Sequence, residues 1–316
     1  MPSVGSRVSL RYRIPSALND AALTDVVGHL DALEPVVVVR TKSGDAVEIH
    51  PADVMSVREL SHAPVRNSEI RTLEHAAALA WPGTDRHWCD GWLLRAGGGH
   101  TSRANSAVPL LFSSNTEALP DIIAWYAQRD LEPWLALPER LLPVKAAGIK
   151  PTRMLTRDIP HKPSPVAALA EAPSPDVTLS PEPGAGWLQA YQRDVPIDIL
   201  TAVVDGSVTF ASVGDGASAA TGRIHAVGRG AITTAPDGTR WLGVSCMRVA
   251  ESSRRTGLAR AICSALQAWG AEQGATRAYV QVLDDNQPAL ALYESAGYRL
   301  HHRHRYVRAD SLVPHA

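Results

Sequence analysis

The chain is short of phenylalanine, cysteine and net charge, and each shortage removes a class of protein. Only two of its 316 residues are Phe, so Val, Leu, Ala and Trp must fill the interior. Three cysteines, Cys89, Cys246 and Cys263, stand far apart with no CxxC spacing. That excludes a disulfide framework and points to a reducing compartment. The formal net charge is -1, whereas a DNA-binding domain usually carries a clear basic excess. The run His301-His302-Arg303-His304-Arg305 alternates as an edge strand does, and its imidazoles are largely neutral at pH 7. No segment approaches the roughly 18 consecutive apolar residues of a membrane span. The first residues, Met1-Pro2-Ser3-Val4-Gly5, lack the basic-then-apolar order of a secretion signal. A cytoplasmic protein is expected, with no nucleic-acid or membrane partner and no metal.

Core-forming residues are ample, at 45% hydrophobic against 20% charged. The length suits two or three domains. Residues 1–62 alternate apolar and polar in short runs, as in Val4 to Tyr12, the period-two signature of half-buried strands. Further strands are expected at Leu23 to Leu30, Val36 to Arg40, Ala46 to Ile49 and Val54 to Leu60, with a hairpin turn at Ser43-Gly44-Asp45. Such a set predicts a small β-barrel of the SH3-like kind, structural or docking in role.

Residues 66–160 read as an α/β block. A helix is expected over Ile70 to Leu79 and another from Leu119 to Arg129, opened by Pro120. Strands are expected at Gly91 to Ala96, Ser106 to Leu110, Trp134 to Leu137 and Thr152 to Arg157, with a helical turn at Arg140 to Leu142. Residues 160–186 are crowded with Pro, Ala and Ser and read as a connection. Residues 177–308 then predict antiparallel strands, among them Ile199 to Val204, Val208 to Val213, Ala219 to Ala226, Gly228 to Thr234 and Thr239 to Val249. A helix over Leu258 to Gln273, a strand over Arg277 to Val282, a helix over Gln287 to Ala296 and a last strand to Val307 complete the block. The class is α/β, or α+β.

The chemistry concentrates between a strand and an amphipathic helix, at Glu251-Ser252-Ser253-Arg254-Arg255-Thr256-Gly257-Leu258-Ala259. Gly257 permits a left-handed turn or a close approach to a ligand. The amides of Arg255 to Arg260 at a helix N-terminus would form an anion site. Small Ala259 leaves room for a second phosphate, and Arg254 or Arg255 can add ionic contact. The alternative is an ordinary strand-to-helix corner with surface arginines. Neither G-x-G-x-x-G nor GxxxxGK[ST] is present.

Arg254-x-x-Gly257-x-Ala259 resembles the Q/R-x-x-G-x-G/A signature of the GCN5-related N-acetyltransferase (GNAT) superfamily. Asn286, Ala289, Leu292-Tyr293 and Gly297-Tyr298 resemble that family's closing motif. The whole chain is similar to actinobacterial acetyltransferases with an SH3-like N-terminal domain. The resemblance implies a GNAT fold over 177–308 and acetyl-CoA as acyl donor. It implies a small-molecule or protein amine as acceptor. By it, the amides of the 254–260 loop, Thr256 and Leu258 included, hold the CoA pyrophosphate. Met247 and Val249 offer backbone groups to the pantetheine arm, and Asn286 touches the cofactor. Tyr293 protonates the departing thiolate, or else is a core aromatic. The strand before the loop, Trp241 to Met247, lacks the carboxylate that many members place there. The base is therefore His225, Asp205 or a water relay, or the amine binds neutral. Cys246 as an acyl carrier is disfavoured because no partnered histidine is evident.

The Trp- and Gly-rich stretch from Trp81 to Asn105 vaguely resembles part of the same fold without a pyrophosphate loop. A tandem arrangement with a degenerate first half is expected, in which Trp88, Asp90 and Asn105 shape the acceptor pocket. The competing function is a noncatalytic CoA-binding scaffold acting through the barrel. Oligomeric state, a homo-oligomer included, is left open.

Overall fold

Alternate burial along each strand defines the smaller of two compact units, formed by Met1–Val65 with Arg299–His302. The computed structural model describes residues 2–14, 22–160, 175–215 and 223–313. In the smaller unit β1 (Arg7–Ile14), β2 (Ala22–Ala32), β3 (Val37–Thr41), β4 (Ala46–Ile49) and β5 (Val54–Glu59) form an antiparallel sheet. Their order is β4-β3-β2-β1-β5. Val8, Leu10, Val26, Leu30, Val37, Val39 and Ile49 turn inward to make its core. All five strands fall within a few residues of where they were expected.

The larger unit spans Arg66–Tyr298 and Arg303–Ala316. Its elements in chain order are α1 (Asn67–Ala80), β6 (Asp85–Cys89), β7 (Trp92–Ala96), β8 (Val108–Pro109), α2 (Leu119–Ala127), β9 (Trp134–Pro138) and β10 (Ile149–Asp158). Then follow β11 (Thr178–Ser180), α3 (Ala185–Tyr191), α4 (Ile197–Thr201), β12 (Ser207–Gly214), β13 (Ile224–Thr234) and β14 (Arg240–Val249). The chain ends in α5 (Leu258–Glu272), β15 (Arg277–Leu283), α6 (Gln287–Ser295) and β16 (Arg299–Arg308). Eight strands share one sheet in the order β11-β12-β13-β14-β15-β10-β16-β9.

That order departs from the expected division into 66–160 and 177–308. β14 and β15 run parallel, which leaves the far edge of β15 to be covered. β10 covers it, antiparallel from Thr152↔Leu283 to Asp158↔Arg277, and β9 pairs with β16. Residues 66–160 therefore supply two strands to the sheet of the later block. Only β6, β7 and β8 form a small sheet of their own.

Other expectations change for local reasons. Ile199 to Val204 is not a strand: Pro196 caps a short helix, α4, with the amide of Leu200 bonded to the Pro196 carbonyl. Gly228 does not interrupt β13, which runs unbroken from Ile224 to Thr234. Of the strand expected at Ala219 to Ala226, residues 219–222 lie outside the described residues, as do 161–174 of the expected connection. The end of that connection holds α3, and Arg140 to Leu142 is a plain turn.

The two faces of β13 carry different packing. Gly228 and Gly230 let α5 lie close: a Cβ on Gly228 would stand 2.7 Å from Ile262 Cγ2. Between them Arg229 points to the other face and is fully buried. Its Nε donates to the Leu200 carbonyl at 2.7 Å, and Nη2 to those of Ala80 and Ala202, both at 3.0 Å. One guanidinium thus ties the ends of α1 and α4, whose last carbonyls have no intrahelical donor. Burial lowers its pKa to about 10, so it remains charged at neutral pH.

Candidate active site

β14 and β15 pair from Trp241↔Arg277 only to Val244↔Val280. Beyond that point β14 continues to Val249 and β15 to Leu283, so the parallel pairing opens into a divergence. On the other edge of β14 the register with β13 shifts between Val227↔Arg248 and Arg229↔Ser245. Cys246 and Met247 together face Gly228, as in a β-bulge, and Cys246 has φ 54°. A bulge re-aims backbone groups and ends regular pairing. Met247 and Val249 lie half-buried on this stretch.

The chain leaves β14 through a single 3-10 turn, Glu251–Ser253, and enters α5 at Leu258. Arg255 at φ 62° and Gly257 at φ 88° are both left-handed, and nothing stands within 4 Å of where a Gly257 Cβ would be. The Thr256 hydroxyl donates to the Ser253 carbonyl at 2.7 Å. No side chain caps α5, and its first intrahelical bond runs from the Ala261 amide to the Gly257 carbonyl. The amides just before Ala261 thus open an exposed, concave N-terminus of the kind that binds anions. Arg254 is exposed and pairs with Glu251 at 3.6 Å; Arg260 Nη2 donates to Ser295 Oγ on α6 at 3.0 Å. Leu258 and Ala259 are half-buried at the helix start.

His225 fixes the approach to this loop. Its Nε2 lies 2.8 Å from Asp215 Oδ1 and its Nδ1 3.2 Å from Ser253 Oγ. It stands beside Ala250, whose amide bonds its carbonyl, several residues along β14 from the bulge. That placement is an anchoring one. Asp205 lies in the turn before β12, also away from the divergence.

α6 begins at Asn286, whose Oδ1 accepts from the Ala289 amide at 3.2 Å. The side chain caps the helix, and the residue is exposed. Tyr293 is buried on α6, edge-on to Tyr298 with ring centroids 5.4 Å apart. Burial above all, then the Cys263 thiol and Tyr298, push its hydroxyl well above the usual 10. Cys246 adds to this and Arg103 opposes it. The phenol therefore stays protonated at neutral pH and is a donor.

The middle block reaches the divergence through residues not singled out beforehand. Asn105 accepts the amides of Gly97 and Gly99 at 2.8 and 2.9 Å and donates to the Thr101 carbonyl at 2.8 Å. It is spent on holding the loop and is not available as an acceptor contact. The loop it shapes presents Arg103, whose Nε donates to Gln281 Oε1 at 2.7 Å. Gln281 follows Val280, the last residue of β15 paired with β14. Tyr191, at the end of α3, lies against the Cys246 thiol, and burial raises its pKa far above 10. An Arg in a Gly-rich loop was the available signal, but its reach to Gln281 is set by tertiary packing.

Trp88 and Asp90 lie elsewhere. Trp88 stacks on His75 at 6.0 Å and lines a cavity of about 310 Å³ with Arg71, Phe112 and Pro236. Pro236 stands in the β13–β14 turn, at the other end of β14 from the loop. Asp90 is in the β6–β7 turn, across β7 from Asn105, and the three expected acceptor contacts are not brought together. Cys89, Asp90 and Asp121 have ligand atoms within 4.8 Å of one another, a grouping that could hold a cation. Burial first, then the two carboxylates, raise the Cys89 pKa and keep it a thiol. No helix among the described residues is long and apolar enough to cross a membrane.

Comparison with known proteins fits this geometry. A family model described as "Probable histone acetyltransferase Rv0428c C-terminal" matches residues 67–307. A second, "Rv0428c N-terminal Sm-like domain", matches 2–58; the small β unit thus carries an Sm-like description where the SH3-like kind was expected. The chain is 48% identical over 314 residues to "Probable histone acetyltransferase Rv0428c" of Mycobacterium tuberculosis, covering 98% of this chain and 97% of that protein. Among solved structures, a GNAT-family chain from Novosphingobium aromaticivorans has TM-score 0.50 and 18% identity over 74% of this chain and 96% of that one. A GCN5-related N-acetyltransferase from Kribbella flavida has TM-score 0.49 and 16% identity, covering 77% and 95%.

Proposed function

Because this chain belongs to the GNAT-superfamily acetyltransferases related to Rv0428c, enzymes that use acetyl-CoA, we propose that it acetylates a primary amine by direct attack at the β14–β15 divergence. The observation that carries this reading is the left-handed Arg255 and Gly257 at the uncapped start of α5, beside that divergence. In this reading the amides of Gly257 to Arg260 receive the pyrophosphate, with Arg254 and Arg255 close by. Thr256 shapes the turn through its bond to Ser253. Met247 and Val249 pair with the pantetheine arm as a missing strand would. Asn286, at the N-terminus of α6, contacts the same arm. The amine nitrogen attacks the thioester carbonyl, its proton passes to water, and a backbone amide near Met247 stabilises the developing oxyanion. The C–S bond breaks and Tyr293 gives its proton to the thiolate. The acceptor is a small molecule or a protein amine; the 48% identical relative is named a probable histone acetyltransferase.

Calorimetric titration with acetyl-CoA tests the cofactor loop. Binding in the micromolar range is expected, lost in Gly257→Glu while that variant keeps its melting temperature. Binding that survives Gly257→Glu would remove the loop from the site.

A further inference from the structure

Resting on that acetyl-transfer reading, we infer that the amine acceptor carries an anionic group, a carboxylate in the simplest case, which the Arg103 guanidinium holds at the divergence. Arg103 is anchored there by one edge only, its Nε on the neutral Gln281 carboxamide at 2.7 Å. The ring of Trp81 lies 5.7 Å from its central carbon. No carboxylate pairs with it among the described residues, and Nη1 and Nη2 remain to meet a ligand in the bidentate manner that suits carboxylates.

Its neighbours repeat the pattern. Arg248, on the bulged stretch of β14, donates to the Gln192 carboxamide next to Tyr191. Lys150 donates to Ser102 Oγ at 2.7 Å, one residue from Arg103. Each cation is met by a neutral oxygen. By contrast, Arg129 is matched by Asp85 at 2.7 Å, and at the end of β15 Arg153 is matched by Asp284 at 2.7 Å. The positive field at the divergence is therefore local, since the whole chain carries a net charge of -1. It acts on the reacting centre: Arg103 reaches the Tyr191 and Tyr293 hydroxyls electrostatically.

The CoA phosphates do not account for this field. Their loop lies past Val249, whereas Arg103 stands at Gln281, where the thioester would be. A cation at that point repels an ammonium and attracts an anion, and it also lowers the pKa of an amine bound beside it. The last effect fits a strand, Leu242 to Met247, with no carboxylate to serve as base. An acceptor whose own anion pairs with Arg103 would be positioned by that ion pair, with its amine left to lose its proton to water.

The test measures thiol release from acetyl-CoA by the full chain with two probe sets, free α-amino acids and the corresponding α-amino acid amides. The amides have the less basic amine, so intrinsic reactivity works against the proposal. The expected result is a kcat/KM about ten- to a hundredfold higher for the free acids. Arg103→Met should abolish that preference by raising KM, with Arg103→Lys restoring part of it and acetyl-CoA affinity unchanged in both. Equal or better turnover of the amides, no turnover of either set with acetyl-CoA binding intact, or a preference that survives Arg103→Met overturns the inference. Should Arg103→Met fail to fold, the wild-type comparison and Arg103→Lys decide. Failure of the wild type to bind acetyl-CoA would instead remove the acetyl-transfer reading beneath it.

Discussion

At the scale of single residues, the candidate site divides into what a local segment dictates and what the fold imports. Arg254, Gly257 and Ala259 were legible because a turn into a helix needs its left-handed residue and small neighbours within a few positions. Asn286 and Tyr293 were legible by spacing, although the structure gives the Asn286 oxygen a capping role. Arg103 and Tyr191 were not, because each reaches the divergence from an element distant in sequence. The proposed donor role of Tyr293 makes a pH prediction. Its raised pKa means the required proton is held more tightly than in an ordinary phenol and is lost only at higher pH. Activity should therefore stay level through pH 9 to 10, where an exposed phenol, with a pKa of about 10, begins to ionise. Tyr293→Phe should lower kcat by about 10²- to 10⁴-fold with acetyl-CoA affinity unchanged. A variant with unaltered kcat would return Tyr293 to the core.

At the scale of elements, strand and helix periods were read correctly wherever one face meets the core. They were misread where a tertiary partner overrides the local pattern. Ile199 to Thr201 looks like strand material, yet Arg229 accepts the task of bonding the Leu200 and Ala202 carbonyls and stabilises a helix end. Two strands were expected where β13 runs unbroken, and Gly228 and Gly230 within it make room for α5. Gly228→Ala places its methyl against Ile262 Cγ2, which a Cβ would approach to 2.7 Å. Overpacking of this kind costs about 1 to 3 kcal/mol. A denaturant midpoint lowered to that extent is expected in equilibrium unfolding of the full chain. An unchanged midpoint would mean that α5 is free to shift outward, and that the start of α5 is less firmly placed than its packing implies.

At the scale of the molecule, the expected boundary near 160–177 failed because it was drawn from composition, which marks where a chain is loose and not which strands pair. The parallel β14–β15 pair needs a strand on the far side of β15, and no strand among the described residues between 175 and 283 supplies it. β10 does, and α1 adds a second tie, with Thr233 Oγ1 donating to the Ala76 carbonyl at 2.8 Å. Residues 175–313 alone would therefore expose the β15 edge along Arg277–Leu283 and leave Arg229 without one of its carbonyls, a combination that favours aggregation. Expressed by itself, this segment should fail to bind acetyl-CoA despite containing the whole 254–260 loop and Tyr293. Co-expressed with residues 66–160, it should be recovered as a complex that binds acetyl-CoA. Calorimetry on the segment and on the co-purified pair checks this. Binding by the isolated segment at the affinity of the full chain would show that the β15 edge can be left open, and that β10 covers the site's frame without being needed to hold it.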